Sequence, residues 1–141
     1  MVGALLKLIR LPGAAAPGER FLKLAAEARR HIREISPGEA FEAARQGAVL
    51  IDVREREEFR RGHIPRAIHL ARGTIELQIE KRAPDPSVEI ITYCAGGNRS
   101  ALVAENLQRM GYFNIKSIAG GFRAWLEAGL PAHRESQLIE D

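Results

Sequence analysis

Only one cysteine, Cys94, occurs in the 141 residues, so no disulfide can close within the chain. A lone thiol meant to react is best kept in a reducing compartment, which points to a cytoplasmic setting. No run of 18 apolar residues is present, and that excludes a membrane-spanning helix. A Gly-x4-Gly-Lys-Ser/Thr phosphate loop is missing, which excludes a P-loop nucleotide enzyme. His31, His69 and His133 follow no metal-ligand spacing, so no metal site is expected. Charge of one sign is scarce overall: 21 Lys and Arg face 18 Asp and Glu, a net of +3. The excess is also confined. Residues 1–33 hold seven basic and two acidic side chains, a balance of +5, whereas residues 34–141 hold 14 and 16, a balance of −2. A body so nearly neutral gives little support to a nucleic-acid role.

What the chain does have is concentrated around Cys94. An apolar run ends there in a glycine-rich loop, Cys94-Ala95-Gly96-Gly97-Asn98-Arg99-Ser100, followed by a helical stretch. Free cysteine has a pKa of about 8.5, and only the thiolate is a strong nucleophile. Three features favour that thiolate. Gly96 and Gly97 tolerate positive φ, so successive N–H groups can turn inward as an anion nest. Asn98 or Ser100 is placed to cap the next helix, whose first-turn amides would face the sulfur. Arg99 adds a fixed charge and a planar fork suited to an oxyanion. Cys94 is therefore the candidate nucleophile, Arg99 its catalytic partner, and Ala95 to Ser100 the anion-binding loop.

Loop length bears on the reaction. Cysteine phosphatases use Cys-x5-Arg to enclose a tetrahedral phosphate, but here four residues separate Cys94 from Arg99, and Tyr93 rather than histidine precedes the cysteine. A shorter cradle favours attack on sulfur. A phosphatase or arsenate reductase stands as an alternative, as does a non-catalytic sulfur carrier or interaction module.

Along the chain, strands are expected over 49–53, 67–70, 88–93 and 115–118, with helices over 37–46, 55–61, 74–81, 100–110 and 122–127. Ser36 and Pro37 open the first of these helices, and Gly47, Gly111 and Gly129 read as helix stops. Alternation of this kind implies an α/β fold with a mostly parallel sheet and helices on both faces. Ligands of such sheets bind at the carboxyl ends of the strands. Asp52 and Arg54 are expected there beside Cys94: Asp52 to tie down loop amides or an arginine, Arg54 to extend a positive, substrate-binding rim or to form a surface salt bridge. Trp125 is expected as a core anchor. Residues 1–33 read as a basic extension. Met1 to Leu11 form a loosely docked leader or a surface anchor, since Lys7 breaks the apolar stretch a signal peptide needs. A helical stripe over 21–35 (Phe21, Leu24, Ala25, Ala28, Ile32, Ile35) would dock on the domain or pair two copies in a homodimer.

Four blocks of the chain resemble the rhodanese family in order. They are Asp52-Val53-Arg54 closing a long strand, Glu58-Phe59-x-x-Gly62-His63-Ile64-Pro65, the Cys94-x4-Arg99-Ser100 loop, and Gly120-Gly121-x-x-x-Trp125. The resemblance implies a rhodanese-like three-layer domain over 34–133 with about five strands, followed by a tail over 134–141. It also implies a sulfurtransferase that needs no cofactor. Cys94 would take a sulfane sulfur from a small donor such as thiosulfate, hold it as a persulfide stabilised by the loop amides, and pass it to a thiol (glutathione, a thioredoxin-like or protein thiol) or to cyanide. His63 falls in a segment that is usually structural, with general-base catalysis as the alternative. Two positions depart from the pattern. Arg66 stands where glycine is usual, implying a different turn or an added charge. The loop interior, Ala95 to Asn98, carries no basic residue and neutralises less of a dianion.

Overall fold

The computed structural model describes residues 16–134. The expected leader over 1–11, and the expected tail apart from Arg134, lie outside them. In chain order the elements are α1 (Glu19–Arg29), β1 (Arg33–Ile35), α2 (Pro37–Arg45), β2 (Val49–Asp52), α3 (Arg56–Arg61), β3 (Gly62–His63), β4 (Ile68–His69), α4 (Ile75–Arg82), β5 (Ile90–Tyr93), α5 (Asn98–Arg109), β6 (Ile115–Ile118), α6 (Gly121–Glu127) and β7 (His133–Arg134). Five strands form one sheet in the order β1-β6-β5-β2-β4, every neighbouring pair parallel. All carboxyl ends therefore share one edge, and β5, at the centre, delivers Cys94 to it.

Side-chain alternation builds the layers. Ile51, Val53 and Ile90 face Ile75 and Ile79 of α4 and Val103, Ala104 and Leu107 of α5. Leu50, Ile91, Tyr93 and Ile118 face Ala40 of α2 and Phe122 and Trp125 of α6. Every residue of β5 is buried, which explains why its sequence does not alternate apolar with exposed polar residues, and the Thr92 hydroxyl is hydrogen-bonded to the Ser100 carbonyl. Trp125 is 1% exposed and its Nε1 donates to the Pro131 carbonyl at 2.8 Å, so it anchors the core as expected. Local signals agree with the elements. Ser36 Oγ accepts from the Glu39 amide at 3.1 Å while Glu39 accepts from the Ser36 amide at 3.0 Å, a capping box that starts α2.

The expected helix over 21–35 is corrected. The helix ends at Arg29, and Arg33–Ile35 is instead an edge strand paired with Lys116–Ile118. Ile35 is 6% exposed and buries just as well in a strand. The open edge of β6 supplies backbone hydrogen bonds that another helical turn would not have, including Ala119 N–H to the Ile35 carbonyl at 2.8 Å. This strand is the fifth of the sheet. The shortened helix α1 lays Ala25 and Ala28 inward, with Ala28 packed on Ala101 and Leu102 of α5, and leaves Leu22 and Leu24 exposed. The antiparallel ribbon of Gly62–His63 with His133–Arg134 was not anticipated, because two-residue strands carry no readable period.

Arg66 keeps the turn that glycine would make. Its φ is 71°, Pro65 precedes it, and Ala67 N–H donates to the Ile64 carbonyl at 3.0 Å, the geometry of a type II turn. The departure from the family pattern therefore adds an exposed charge without rerouting the chain.

Candidate active site

The Cys94 loop turns from the end of β5 into α5 and wraps the sulfur. Gly97 N–H donates to Cys94 Sγ at 3.0 Å and Ser100 N–H at 3.4 Å, with Ser100 Oγ at 3.5 Å. Two amides and a hydroxyl thus aim positive dipoles at one sulfur atom, an arrangement that favours negative charge there. Gly97 makes it possible: at φ 105° it is the N-cap of α5 in the left-handed region, where a side chain would be strained. The expected capping by Asn98 or Ser100 is corrected, since no side chain caps this helix. Asn98 lies in the first turn and its Oδ1 accepts from Arg29 Nη2 at 2.6 Å, tying α1 to the loop. Ser100 is fully buried; its Oγ accepts from Ser117 Oγ at 2.9 Å, and its carbonyl accepts from Thr92 Oγ1 at 3.1 Å.

A second layer supports the loop from behind. The Cys94 and Ala95 carbonyls accept the Phe122 and Arg123 amides of α6 at 2.7 and 3.1 Å. With its carbonyls held there, the loop is free to present its N–H groups to the sulfur. This close docking requires Gly121, because a side-chain carbon on it would stand 2.5 Å from the Cys94 carbonyl oxygen. Sequence reading gave Gly120-Gly121 no part in the site; the paired glycines before a short helix were the available signal.

Arg99 is placed differently from a free oxyanion clamp. Its guanidinium makes a two-pronged ion pair with Glu58 at 2.8 and 3.0 Å. The hydrogen bonds from Arg99 hold the Glu58 carboxyl below its ordinary pKa, and the same bonds raise that of Arg99, with a further push from nearby Cys94. Arg99 therefore fastens α5 to α3 beside the loop. Glu58 had been read only as part of a motif.

Arg54 does not extend a positive rim. It is 5% exposed, donates to both oxygens of Asp52 (3.0, 3.1 and 2.7 Å) and to the Gly62 carbonyl at 2.6 Å. Burial works against its charge, but the Asp52 carboxylate outweighs burial and raises its pKa. Asp52, fully buried, also accepts the Arg54 amide at 2.9 Å, so it ties down an arginine as expected. His63 is structural in its contacts: Nδ1 bonds the Phe59 carbonyl at 2.8 Å and the ring stacks on Phe59 at 3.8 Å. Tyr93 points away from the loop; its hydroxyl accepts the Ile64 amide at 3.1 Å, and burial pushes its pKa up, so it supplies no acid to the sulfur. Cys94 itself is 1% exposed, at the base of its loop. A groove of about 460 Å³ bounded by Phe41, Leu50, Ile64 and Trp125 includes none of the loop and carries none of this chemistry. Among the described residues no cluster of His, Cys, Asp and Glu is placed to hold a metal, and no helix is long and apolar enough to cross a membrane.

The chain resembles known proteins over most of its length. Residues 36–128 match the family of rhodanese-like domains. The thiosulfate sulfurtransferase GlpE of Haemophilus influenzae is 40% identical over 100 residues, covering 71% of this chain and 93% of that protein. Among solved structures, the polysulfide-sulfur transferase homodimer of Wolinella succinogenes superposes with a TM-score of 0.71 at 28% identity, covering 81% of this chain and 87% of that one. A protein of unknown function from Rhodopseudomonas palustris, described as a possible tyrosine phosphatase, has a TM-score of 0.70 at 33% identity, covering 87% and 99%. With the family matched across the sheet, the Cys94 loop and the supporting glycines, the chain belongs to the rhodanese-like domain family and is an enzyme of the rhodanese sulfurtransferase type.

Proposed function

We propose that the chain transfers sulfane sulfur through a persulfide on Cys94, from a donor such as thiosulfate to a thiol acceptor in a reducing, cytoplasmic compartment. The observation that carries this reading is the pair of amides, Gly97 and Ser100, donating to the Cys94 sulfur at 3.0 and 3.4 Å. In the first step the thiolate attacks the terminal sulfur of thiosulfate. A bond forms between Sγ and that sulfur, the sulfur–sulfur bond of the donor breaks, and its electron pair leaves with sulfite. The persulfide keeps one negative charge, which the loop dipoles continue to stabilise. In the second step an acceptor thiolate attacks the outer sulfur, carries it away as a new persulfide and regenerates the Cys94 thiolate. Such two-step covalent transfer gives ping-pong kinetics. Because Cys94 lies at the base of its loop, a slim donor that offers its sulfur end-on suits the site.

Phosphate ester chemistry fits less well. The loop is one residue shorter than a phosphatase cradle, and the Arg99 fork that would hold phosphate is occupied by Glu58.

Intact-mass measurement after incubation with thiosulfate tests the reading. A gain of one sulfur atom, removed by dithiothreitol, is expected. Cys94→Ser should abolish the adduct and lower thiocyanate formation from thiosulfate and cyanide by on the order of a thousandfold or more. A fully active serine variant would overturn the assignment. A single sulfur transfer without repeated turnover would favour a dedicated carrier, and steady hydrolysis of an aryl phosphate would favour the phosphatase.

A further inference from the structure

We infer that Arg123 is a specificity-determining residue that selects anionic, sulfonate-bearing sulfur donors at the Cys94 loop, an inference that rests on the sulfurtransferase reading. The loop interior brings no basic side chain of its own, and three arginines near it are engaged elsewhere. Arg99 is held by both oxygens of Glu58. Arg54 is buried on Asp52. Arg29 approaches Gly97, where a side-chain carbon would stand 3.6 Å from its Nη2, but it is held by Asn98 at 2.6 Å and Glu34 at 3.3 Å.

Arg123 is the contrast. Its Nη1 lies 3.4 Å from where a side-chain carbon on Gly96 would be, so the guanidinium rests against the backbone of the loop. Its own amide donates to the Ala95 carbonyl at 3.1 Å, which fixes the root of the side chain to the same loop. Arg123 is exposed, and among the described residues its guanidinium has no ion-pair or hydrogen-bond partner.

The proposed reaction needs such a charge. A dianionic donor must approach a thiolate, and a dianion, sulfite, must form as the bond breaks; both encounters are repulsive. The Gly97 and Ser100 amides are directed at the sulfur of Cys94 and leave the donor's oxygens to other groups. A free guanidinium beside Gly96 offers them a planar, two-pronged donor. A neutral loop can thereby accept an anionic donor, with the cation supplied by the neighbouring helix.

The test compares the full-length chain with Arg123→Gln and Arg123→Lys, using thiosulfate (a dianion) and an aromatic thiosulfonate (a monoanion) as donors and cyanide as acceptor. Arg123→Gln should raise KM for thiosulfate about five- to tenfold with kcat little changed, and should raise that for the thiosulfonate less. Arg123→Lys should stay within about twofold of the parent. Added salt should depress the parent's kcat/KM for thiosulfate more than the glutamine variant's. If the ratio of the two KM values is the same in parent and Arg123→Gln, or if the variant loses kcat and melting temperature alike with both donors, the inference is wrong while the sulfurtransferase reading stands. If the parent turns over neither donor, the reading itself falls and the inference with it.

Discussion

At the scale of single residues, most side chains around Cys94 turn out to be held by others rather than to face a substrate. Arg54, Asp52, Arg99 and Glu58 form two ion pairs that fix the backbone on either side of the loop. Removing one member of the buried Asp52–Arg54 pair would strand a charge in the interior, which is far costlier than the pair's net worth. Among the described residues, Arg66 is the one non-glycine residue with a positive φ. A left-handed φ costs a residue with a Cβ roughly 1–2 kcal/mol, part of which glycine gives back through its more disordered unfolded state. Arg66→Gly is therefore expected to stabilise the protein by roughly 0.5–1 kcal/mol in urea denaturation. A loss of stability would mean that the exposed guanidinium holds a contact worth more than the strain.

At the scale of elements, the site is a joint between β5, α5 and α6. The start of α6 binds the carbonyls of Cys94 and Ala95, while the start of α5 supplies the amides that reach the sulfur. Gly121 sits at the joint with φ 61° and no room for a side chain. Gly121→Ala should push α6 away from the loop and cost roughly 2–5 kcal/mol, the left-handed penalty plus overpacking against backbone. The rate of Cys94 alkylation by iodoacetamide, measured on the folded fraction, should change as well. An unchanged melting temperature and alkylation rate would show that the joint can flex without consequence. The element boundaries over 37–46, 55–61 and 115–118 were legible because caps, glycines and β-branched runs mark them locally. The end of α1 was not legible, because Ile32 and Ile35 satisfy helical spacing while the deciding partner, β6, is more than eighty residues away.

At the scale of the whole molecule, acid should act through paired carboxylates. Glu58, Glu39 and Asp85 all have pKa values lowered in the folded state, by the hydrogen bonds of Arg99, Ser36 and Ser87 respectively. A lowered folded value means that the ionised group stabilises the fold above its unfolded pKa. That contribution disappears as pH falls through the folded value. Stability should therefore be insensitive to these groups near neutrality and decline as pH drops below the ordinary carboxylate values of 4.5 for Glu58 and 3.8 for Asp85. Glu58→Gln should lower the melting temperature at pH 7 and flatten its decline in acid. An acid limb identical to the parent's would mean that the Glu58–Arg99 pair contributes nothing to it. The N-terminal segment is also understood only at this scale. Its basic residues read as an appendage in the sequence, yet α1 packs on α5, Arg29 binds Asn98 of the Cys94 loop, and β1 forms one edge of the sheet.

Four of the five strands of the sheet, the helices between them and the glycine-rich loop after Tyr93 could be read from sequence alone, because each depends on neighbours within about ten residues: an apolar run, a pair of glycines, a cap, a fixed Cys-to-Arg spacing. Tertiary structure decided which cation is free. Arg99, Arg54, Arg29 and Arg123 are alike as letters, and their roles separate only when folding brings Glu58, Asp52 and Glu34 against the first three and leaves Arg123 beside Gly96 without a counter-charge. The physical reason is that charge pairing depends on distance in space: Glu58 meets Arg99 across 41 residues of chain, and even Asp52 and Glu34, two and five residues from Arg54 and Arg29, meet them only in the backbone geometry that the fold imposes.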